Sequence, residues 1–183
     1  MTRFDEALAG NRVVLVQAAD LLRRLSDADF AATGGRAGRS SIGAHLRHVL
    51  DHYRAFVDGL ASGRVDYEAR HRDSAVEHER LLAAQEVERV TGLLGESARQ
   101  GGDRALQVNL RSLVDPGAAA DWSGSTVKRE LQFLVSHTVH HFALIRTRLV
   151  ELGIDPGEEF GMAPSTIMAR RHGPAEATDL AAR

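Results

Sequence analysis

Apolar residues recur every three or four positions along four long segments of the 183-residue chain, which is the spacing of one face of an amphipathic helix. In the first segment the apolar stripe consists of Phe4, Leu8, Leu15, Ala18, Leu22 and Leu25. The pair Gly34-Gly35 follows this stripe, and adjacent glycines are typical of loops. The pattern therefore predicts a first helix that ends before these glycines.

Capping residues set the limits of the second and third predicted helices. Ser40 and Ser41 are both suitable N-caps, and a helix that begins at either of them runs to Gly63. The third helix begins at residues 74–77, where a serine is followed three positions later by a glutamate. This is the pattern of a capping box, and the predicted helix continues to about Arg99.

The fourth predicted helix begins near Ser125 or Thr126 and ends at Gly153, a residue type that is common just after a helix. Between the third and fourth helices, residues 105–114 alternate apolar and polar side chains, as a short strand does. One short strand cannot form a sheet, so we interpret this segment as an excursion or a small hairpin.

A bundle is the simplest arrangement in which four amphipathic helices bury all their apolar faces. The sequence therefore predicts an all-α four-helix bundle with a short β excursion between helices three and four. Residues 159–167 carry enough apolar side chains to pack back on the bundle. We expect one bundle domain over residues 1–168 and a flexible C-terminal tail over residues 169–183, where the last residues are small and polar.

The composition limits the classes of function. The formal net charge is -2 without a basic stripe, so we expect no nucleic-acid partner. The absence of cysteine excludes disulfides and thiolate metal ligands. Residues 1–10 lack the apolar core of a signal peptide, and the aliphatic run over 13–16 is too short to span a bilayer. The sequence thus favours a cytoplasmic protein without a membrane partner.

Histidines form two clusters, and this is the most informative feature of the sequence. The second predicted helix carries His45, His48 and His52, and the fourth carries His137, His140 and His141. The other three histidines are scattered, and we interpret them as ordinary surface or packing residues: His71, His78 and His172. Residues four apart on a helix project from one face, so His137 and His141 can bind the same ion. A third imidazole from a neighbouring helix would complete a site with a position open to water or substrate.

Helical projection orders the candidates on the fourth helix. At about 100° per residue, Glu130, His137, His141 and Arg148 share a narrow stripe beside the apolar face, whereas His140 points nearer to solvent. His137 and His141 are therefore the ligand candidates, with Glu130 and Arg148 as their outer partners. A carboxylate that accepts the second ring N–H of a ligand histidine would fix the orientation of that ring.

On the second helix the projection leaves the third ligand open. His45, His48 and His52 lie within about 60° of arc, and His45 and His52 are closer to the apolar face than His48. Periodicity alone would favour His45 or His52. A competing interpretation is an ordinary bundle with structural histidines, because pairs four residues apart also arise by chance. The presence of clusters on two helices favours a metal, since metal sites in bundles are built from facing helices.

The segments SIGAHLRHVLDHY and RELQFLVSHTVHHFALI resemble the DinB/YfiT-like superfamily of metal-binding four-helix bundles. The resemblance implies one ligand from the second helix, in an apolar-x-His-apolar setting, and two from a His-x-x-x-His motif on the last helix. The implied ligands are His48, which precedes Val49, together with His137 and His141. The implied cofactor is a divalent ion. Three imidazoles suit zinc, nickel, copper and iron alike, and we place zinc and nickel foremost.

Members of this superfamily with assigned activity are often metal-dependent transferases that use bacillithiol, mycothiol or glutathione. The resemblance implies a low-molecular-weight thiol as partner, presented by the metal as a thiolate, with His45, His52 or Glu130 as proton acceptor or orienting group. Tyr67 and Arg70 are candidates for the mouth of the site, or for contacts that anchor a loop. The alternatives are a non-catalytic metal- or ligand-binding module of a stress response and a metal-dependent hydrolase. Bundles of this kind often pair through their helix faces, so the resemblance also implies a homodimer.

Overall fold

The computed structural model describes residues 2–33, 40–69, 74–111 and 119–172. In chain order, the elements in this part of the chain are α1 (Arg3–Arg24), α2 (Asp27–Ala31), α3 (Ile42–Leu60), β1 (Arg64–Asp66), α4 (Ser74–His78), α5 (Arg80–Gly101), β2 (Ala105–Asn109), β3 (Trp122–Thr126), α6 (Val127–Glu151) and α7 (Pro164–His172). The four long helices α1, α3, α5 and α6 correspond to the four predicted amphipathic segments.

These four helices form a bundle around one apolar core. Helix α1 packs against α5 and α6, and α3 packs against the same two helices, so each long helix has two long neighbours. The side chains that close the centre of the core are fully buried, among them Leu22, Leu46, Phe56, Leu94, Leu131 and Phe142. The prediction of a four-helix bundle is confirmed.

Side-chain hydrogen bonds show which of two candidate N-cap residues begins each of two predicted helices. The Ser41 hydroxyl accepts a hydrogen bond from the Ala44 backbone N–H at 3.0 Å, so α3 starts after Ser41 and not after Ser40. The Thr126 hydroxyl accepts from the Arg129 N–H at 3.2 Å and caps α6. The predicted third helix is divided into α4 and α5 because Glu79 has an extended backbone, with φ -114° and ψ 100°.

A three-stranded sheet covers one end of the bundle. Strand β1 pairs parallel with β2, with Val65 opposite Val108, and β2 pairs antiparallel with β3, with Gln107 opposite Gly124. The sequence predicted only the middle strand, and predicted it too long, since β2 ends at Asn109. The outer strands gave no signal because β1 has three residues and β3 is mainly small and polar.

The sheet brings two side chains toward α6. The backbone N–H of Tyr67 donates to the Asn109 carbonyl at 3.0 Å, which continues the β1–β2 pairing by one residue. Ser125 is the second-last residue of β3, two positions before the start of α6. Glycine at position 59 permits the close approach of β1 to α3, because a Cβ there would overlap the Arg64 carbonyl oxygen.

The segment after α6 folds back on the bundle, as expected. The Phe160 ring stacks on Phe142 with 4.7 Å between centroids, and Arg146 donates to the carbonyl oxygens of Gly157 and Phe160. Helix α7 passes through residue 168, the predicted end of the bundle domain, and ends at His172. Residues 173–183 lie outside the described part, as do Gly34, Gly35 and His71, so the division of the chain at 168 stays a prediction.

Candidate metal centre

Five histidines meet where α3 faces α6. His45 lies beside His141, His48 lies beside both His141 and His137, and His52 lies beside His137. Residue numbers rise along α3 as they fall along α6, so the two helices run antiparallel at this contact. We call the five residues the histidine seam. The structure thus brings both sequence clusters together, except for His140, which is exposed as predicted.

His48 and His137 form the central pair of the seam. Their Nε2 atoms are 3.2 Å apart. A tetrahedral ion with metal–nitrogen bonds of about 2.0–2.1 Å holds its ligand nitrogens about 3.3 Å from one another. The separation of the two imidazoles therefore fits the joint ligation of one ion.

Two further rings lie within reach of this central pair. The centroid of His141 is 4.6 Å from that of His48 and 4.7 Å from that of His137. The centroid of His52 is 4.6 Å from that of His48 and 4.1 Å from that of His137. In the group His48, His52 and His137, one nitrogen from each side chain lies within 4.8 Å of the other two, so this group could hold a metal ion.

Hydrogen bonds orient the rings at the two ends of the seam. His52 Nδ1 lies 2.8 Å from the backbone carbonyl oxygen of His48. Because a carbonyl only accepts, His52 Nδ1 carries the proton and its Nε2 carries the lone pair. At the other end, the Nδ1 atoms of His45 and His141 are 3.1 Å apart, so one donates and the other accepts.

Burial and the neighbouring histidines keep the imidazoles of His45 and His141 neutral. Burial lowers the pKa of His141 to about 4, with further contributions from His137, His45 and His140. Burial and His140 also lower the pKa of His45 below its usual value. Neutral imidazole is the form that ligates a metal, so these side chains are in the ligating state at neutral pH.

Two aromatic rings wall the inner end of the seam. Tyr67 stacks on His52 at 5.4 Å, and Phe133 stacks on His137 at 5.6 Å. Tyr67 is fully buried, so it lies in this wall and not at the solvent-facing mouth, which was one of the two places considered for it. Phe133 was not a candidate, although it lies one helical turn before His137 and that spacing could have indicated it.

Glu130 lies behind Tyr67 and has no exposed surface. Its Oε2 accepts from the Tyr67 hydroxyl at 3.0 Å, and its Oε1 accepts from the Ser125 hydroxyl at 2.5 Å and from Arg129 at 2.8 Å. Burial and the neighbouring Glu130 raise the pKa of Tyr67, which keeps the phenol protonated as a donor. Among the described residues, the contact of Glu130 with the seam therefore runs through Tyr67 and not directly to a ligand candidate.

Arg148 is turned away from the seam. It donates to the Thr33 carbonyl oxygen at 2.9 Å and to Glu151 at 3.1 Å, so it holds the segment that follows α2. The expectation that it partners a histidine was wrong, since the stripe it shares with His141 continues two turns beyond the seam. Arg70 lies outside the described residues.

The fold and the seam together define a class of protein, a four-helix bundle with a histidine group that could hold a metal ion. The chain matches the model of the DinB superfamily over residues 17–145, and it belongs to that superfamily. It is also similar to FK506-binding protein 5 of Rhizopus delemar, with 28% identity over 104 residues, which are 56% of this chain and 26% of that protein. The chain thus spans about a quarter of the length of this curated relative. Within the described residues, no helix has the length and apolar character needed to cross a membrane.

Proposed function

We propose that the protein is a metal-dependent transferase that acts through a low-molecular-weight thiol, with His48, His137 and His141 as ligands of a divalent ion. The observation that carries the proposal is the His48–His137 pair, whose Nε2 atoms are 3.2 Å apart beside the ring of His141. Membership of the DinB superfamily supports it, because the match covers residues 17–145 and so includes the three residues that the resemblance implies as ligands.

The rings of the three proposed ligands lie side by side. Their centroids are separated by 4.6, 4.7 and 5.0 Å, which is close to an equilateral triangle. His48 and His141 are half-buried, whereas His52 is 4% exposed. A site built on His48, His137 and His141 therefore has an edge toward solvent, where a small substrate can enter.

The chain itself supports an external nucleophile. It has no cysteine, so no side chain of the chain can itself supply a thiolate nucleophile. A divalent ion with an open position supplies a place where a thiol loses its proton near neutral pH. His45 Nδ1, at 3.1 Å from His141 Nδ1, orients the His141 ring, and the His52 ring is itself held by the His48 carbonyl at 2.8 Å.

Metal content of purified variants tests the ligand set. We expect near-stoichiometric metal in the wild type and its loss in His48→Ala, His137→Ala and His141→Ala. His140→Ala is the matched control, because His140 lies on the same helix but is exposed. Retention of full metal content by His141→Ala would refute the proposed triad.

Titration with thiols tests the chemistry separately. In the cobalt-substituted protein, we expect visible absorption bands to change on addition of glutathione, mycothiol or bacillithiol, because sulfur enters the coordination sphere. A spectrum unaffected by all three thiols would refute the transferase proposal and leave the metal site intact.

The second candidate is a metal-binding module without turnover. The aromatic wall of Tyr67 and Phe133 favours it, since it closes the inner end of the seam to substrate. A hydrolase is the third candidate, in which water takes the place of the thiol. Hydrolysis of activated esters by the loaded protein without added thiol would favour the hydrolase. The cytoplasmic location and the homodimer stay predictions, and sedimentation of the purified chain tests the latter.

A further inference from the structure

We propose that His52 is a fourth imidazole ligand, so that one ion lies among His48, His52, His137 and His141. This inference rests on the proposed metal site and adds a ligand and a metal preference to it. It extends the ligand set beyond the triad that the superfamily motif implies.

Two helices each contribute a pair of histidines to the proposed four-histidine site. Helix α3 contributes His48 and His52, four residues apart, and α6 contributes His137 and His141, also four residues apart. Because the helices run antiparallel, His52 and His141 lie on opposite sides of the central His48–His137 pair. Each of the two outer rings is within 4.1–4.7 Å of both central rings.

The tautomer of His52 suits ligation through Nε2. Its Nδ1–H is held by the His48 carbonyl at 2.8 Å, which fixes the tautomer with the lone pair on Nε2. Its ring is nearly parallel to that of Tyr67, with 29° between the planes and 5.4 Å between centroids. A backbone carbonyl on the other ring nitrogen is the usual outer partner of a ligating histidine.

A fourth nitrogen changes which metal the site prefers. Four imidazoles fill every position of a tetrahedral zinc ion and leave none for substrate. Nickel(II) and copper(II) would accept four imidazole nitrogens and still leave room for a further ligand. Of the two metals that the sequence analysis put foremost, nickel is therefore the one that combines four histidines with a bound thiol.

Electron paramagnetic resonance of the Cu²⁺-loaded protein counts the nitrogen ligands. We expect four equivalent or near-equivalent nitrogens in the wild type and three in His52→Gln and His52→Phe. His52→Gln keeps a polar side chain, and His52→Phe keeps the ring contacts with Tyr67 and Phe133. We also expect the dissociation constant for Ni²⁺ to rise roughly 10- to 100-fold in both variants. His140→Gln, on the exposed side of α6, should leave the spectrum and the constant unchanged.

Three outcomes separate this inference from the proposed function. A spectrum with the same nitrogen count in the wild type and in a folded His52→Phe, combined with metal loss in His48→Ala, would overturn the fourth ligand and leave the triad standing. A wild type that binds no Cu²⁺ or Ni²⁺ would overturn both. A nitrogen count that falls in the two His52 variants, while the metal-free variants melt cooperatively, supports the four-histidine site.

Discussion

Replacing Tyr67 by phenylalanine removes one hydroxyl group and leaves the stacked ring in place. The lost hydrogen bond joins the Tyr67 hydroxyl to Glu130 Oε2 at 3.0 Å, and both side chains have no exposed surface. The other described donors to Glu130, from Ser125 and Arg129, reach Oε1 and not Oε2. Oε2 is therefore left buried without a donor among the described residues.

We expect the free energy of unfolding of the metal-free protein to fall by about 1.5–3 kcal/mol in Tyr67→Phe, the range for hydrogen bonds to charged groups. The matched control is Tyr53→Phe. Tyr53 is also fully buried, but its hydroxyl donates to the neutral amide oxygen of Asn11 at 2.8 Å. For this change we expect a loss of about 0.5–1.5 kcal/mol.

Urea unfolding followed by circular dichroism measures both losses, and a double-mutant cycle isolates the contact with Glu130. In the Glu130→Gln background the acceptor of the Tyr67 hydroxyl is a neutral amide, so the cycle should give a coupling of about 1 kcal/mol. A Tyr67→Phe variant that is no less stable than Tyr53→Phe, or a cycle that is additive, would refute this account of the network behind the seam.

Three further predictions concern packing, pH and metal. Gly43→Ala should destabilise the protein by about 1–3 kcal/mol in thermal unfolding, because the added Cβ would overlap the Glu77 carbonyl and the Phe30 ring, whereas Gly92→Ala meets nothing and should be neutral or stabilising. Burial opposes ionisation of Glu86, but hydrogen bonds from Arg89 and Arg54 lower its pKa to about 2. The ionised Glu86 should therefore add about 1–2 kcal/mol to the free energy of unfolding, after allowance for the half-exposed Arg89. This stabilisation should be present above pH 4.5 and disappear as the pH falls toward 2. The free energies of unfolding of the wild type and of Glu86→Gln should therefore converge in acid. Ni²⁺ at about 100 times its dissociation constant should stabilise the protein by about 2.7 kcal/mol and raise the melting temperature by about 5–10 °C, an effect that EDTA reverses and that His48→Ala lacks. An equal rise in His48→Ala would place the ion elsewhere.

The sequence predicted the helices well because the apolar residues within each long helix already mark the face that is buried. Leu15, Leu22 and Leu46 recur at helical spacing, and all three are buried in the core. The outer strands were missed because their positions depend on partners distant in the chain. β1 is defined by its pairing with β2, about 40 residues away, and no pattern within three residues can indicate such a pairing.

Part of the site was predicted, and what the projection could not decide has one physical cause. Projection on a helix gives the angle of a side chain about its own axis, but not the offset of one helix along another. The antiparallel contact of α3 and α6 places His48 between His137 and His141, although His52 is the more buried residue. The projection also placed Arg148 with the histidines because it shares their stripe, although Arg148 lies two helical turns beyond His141.

The central pair of the seam joins positions that are 89 residues apart in the chain. An ion held by both residues is a cross-link between α3 and α6 that closes a loop containing α5 and the whole sheet. A permanent link across a loop of this length would remove unfolded-state entropy worth about 4–5 kcal/mol. Metal supply would thereby control, reversibly, how firmly α3 and α6 are held together, whereas α1 lies outside the cross-linked loop.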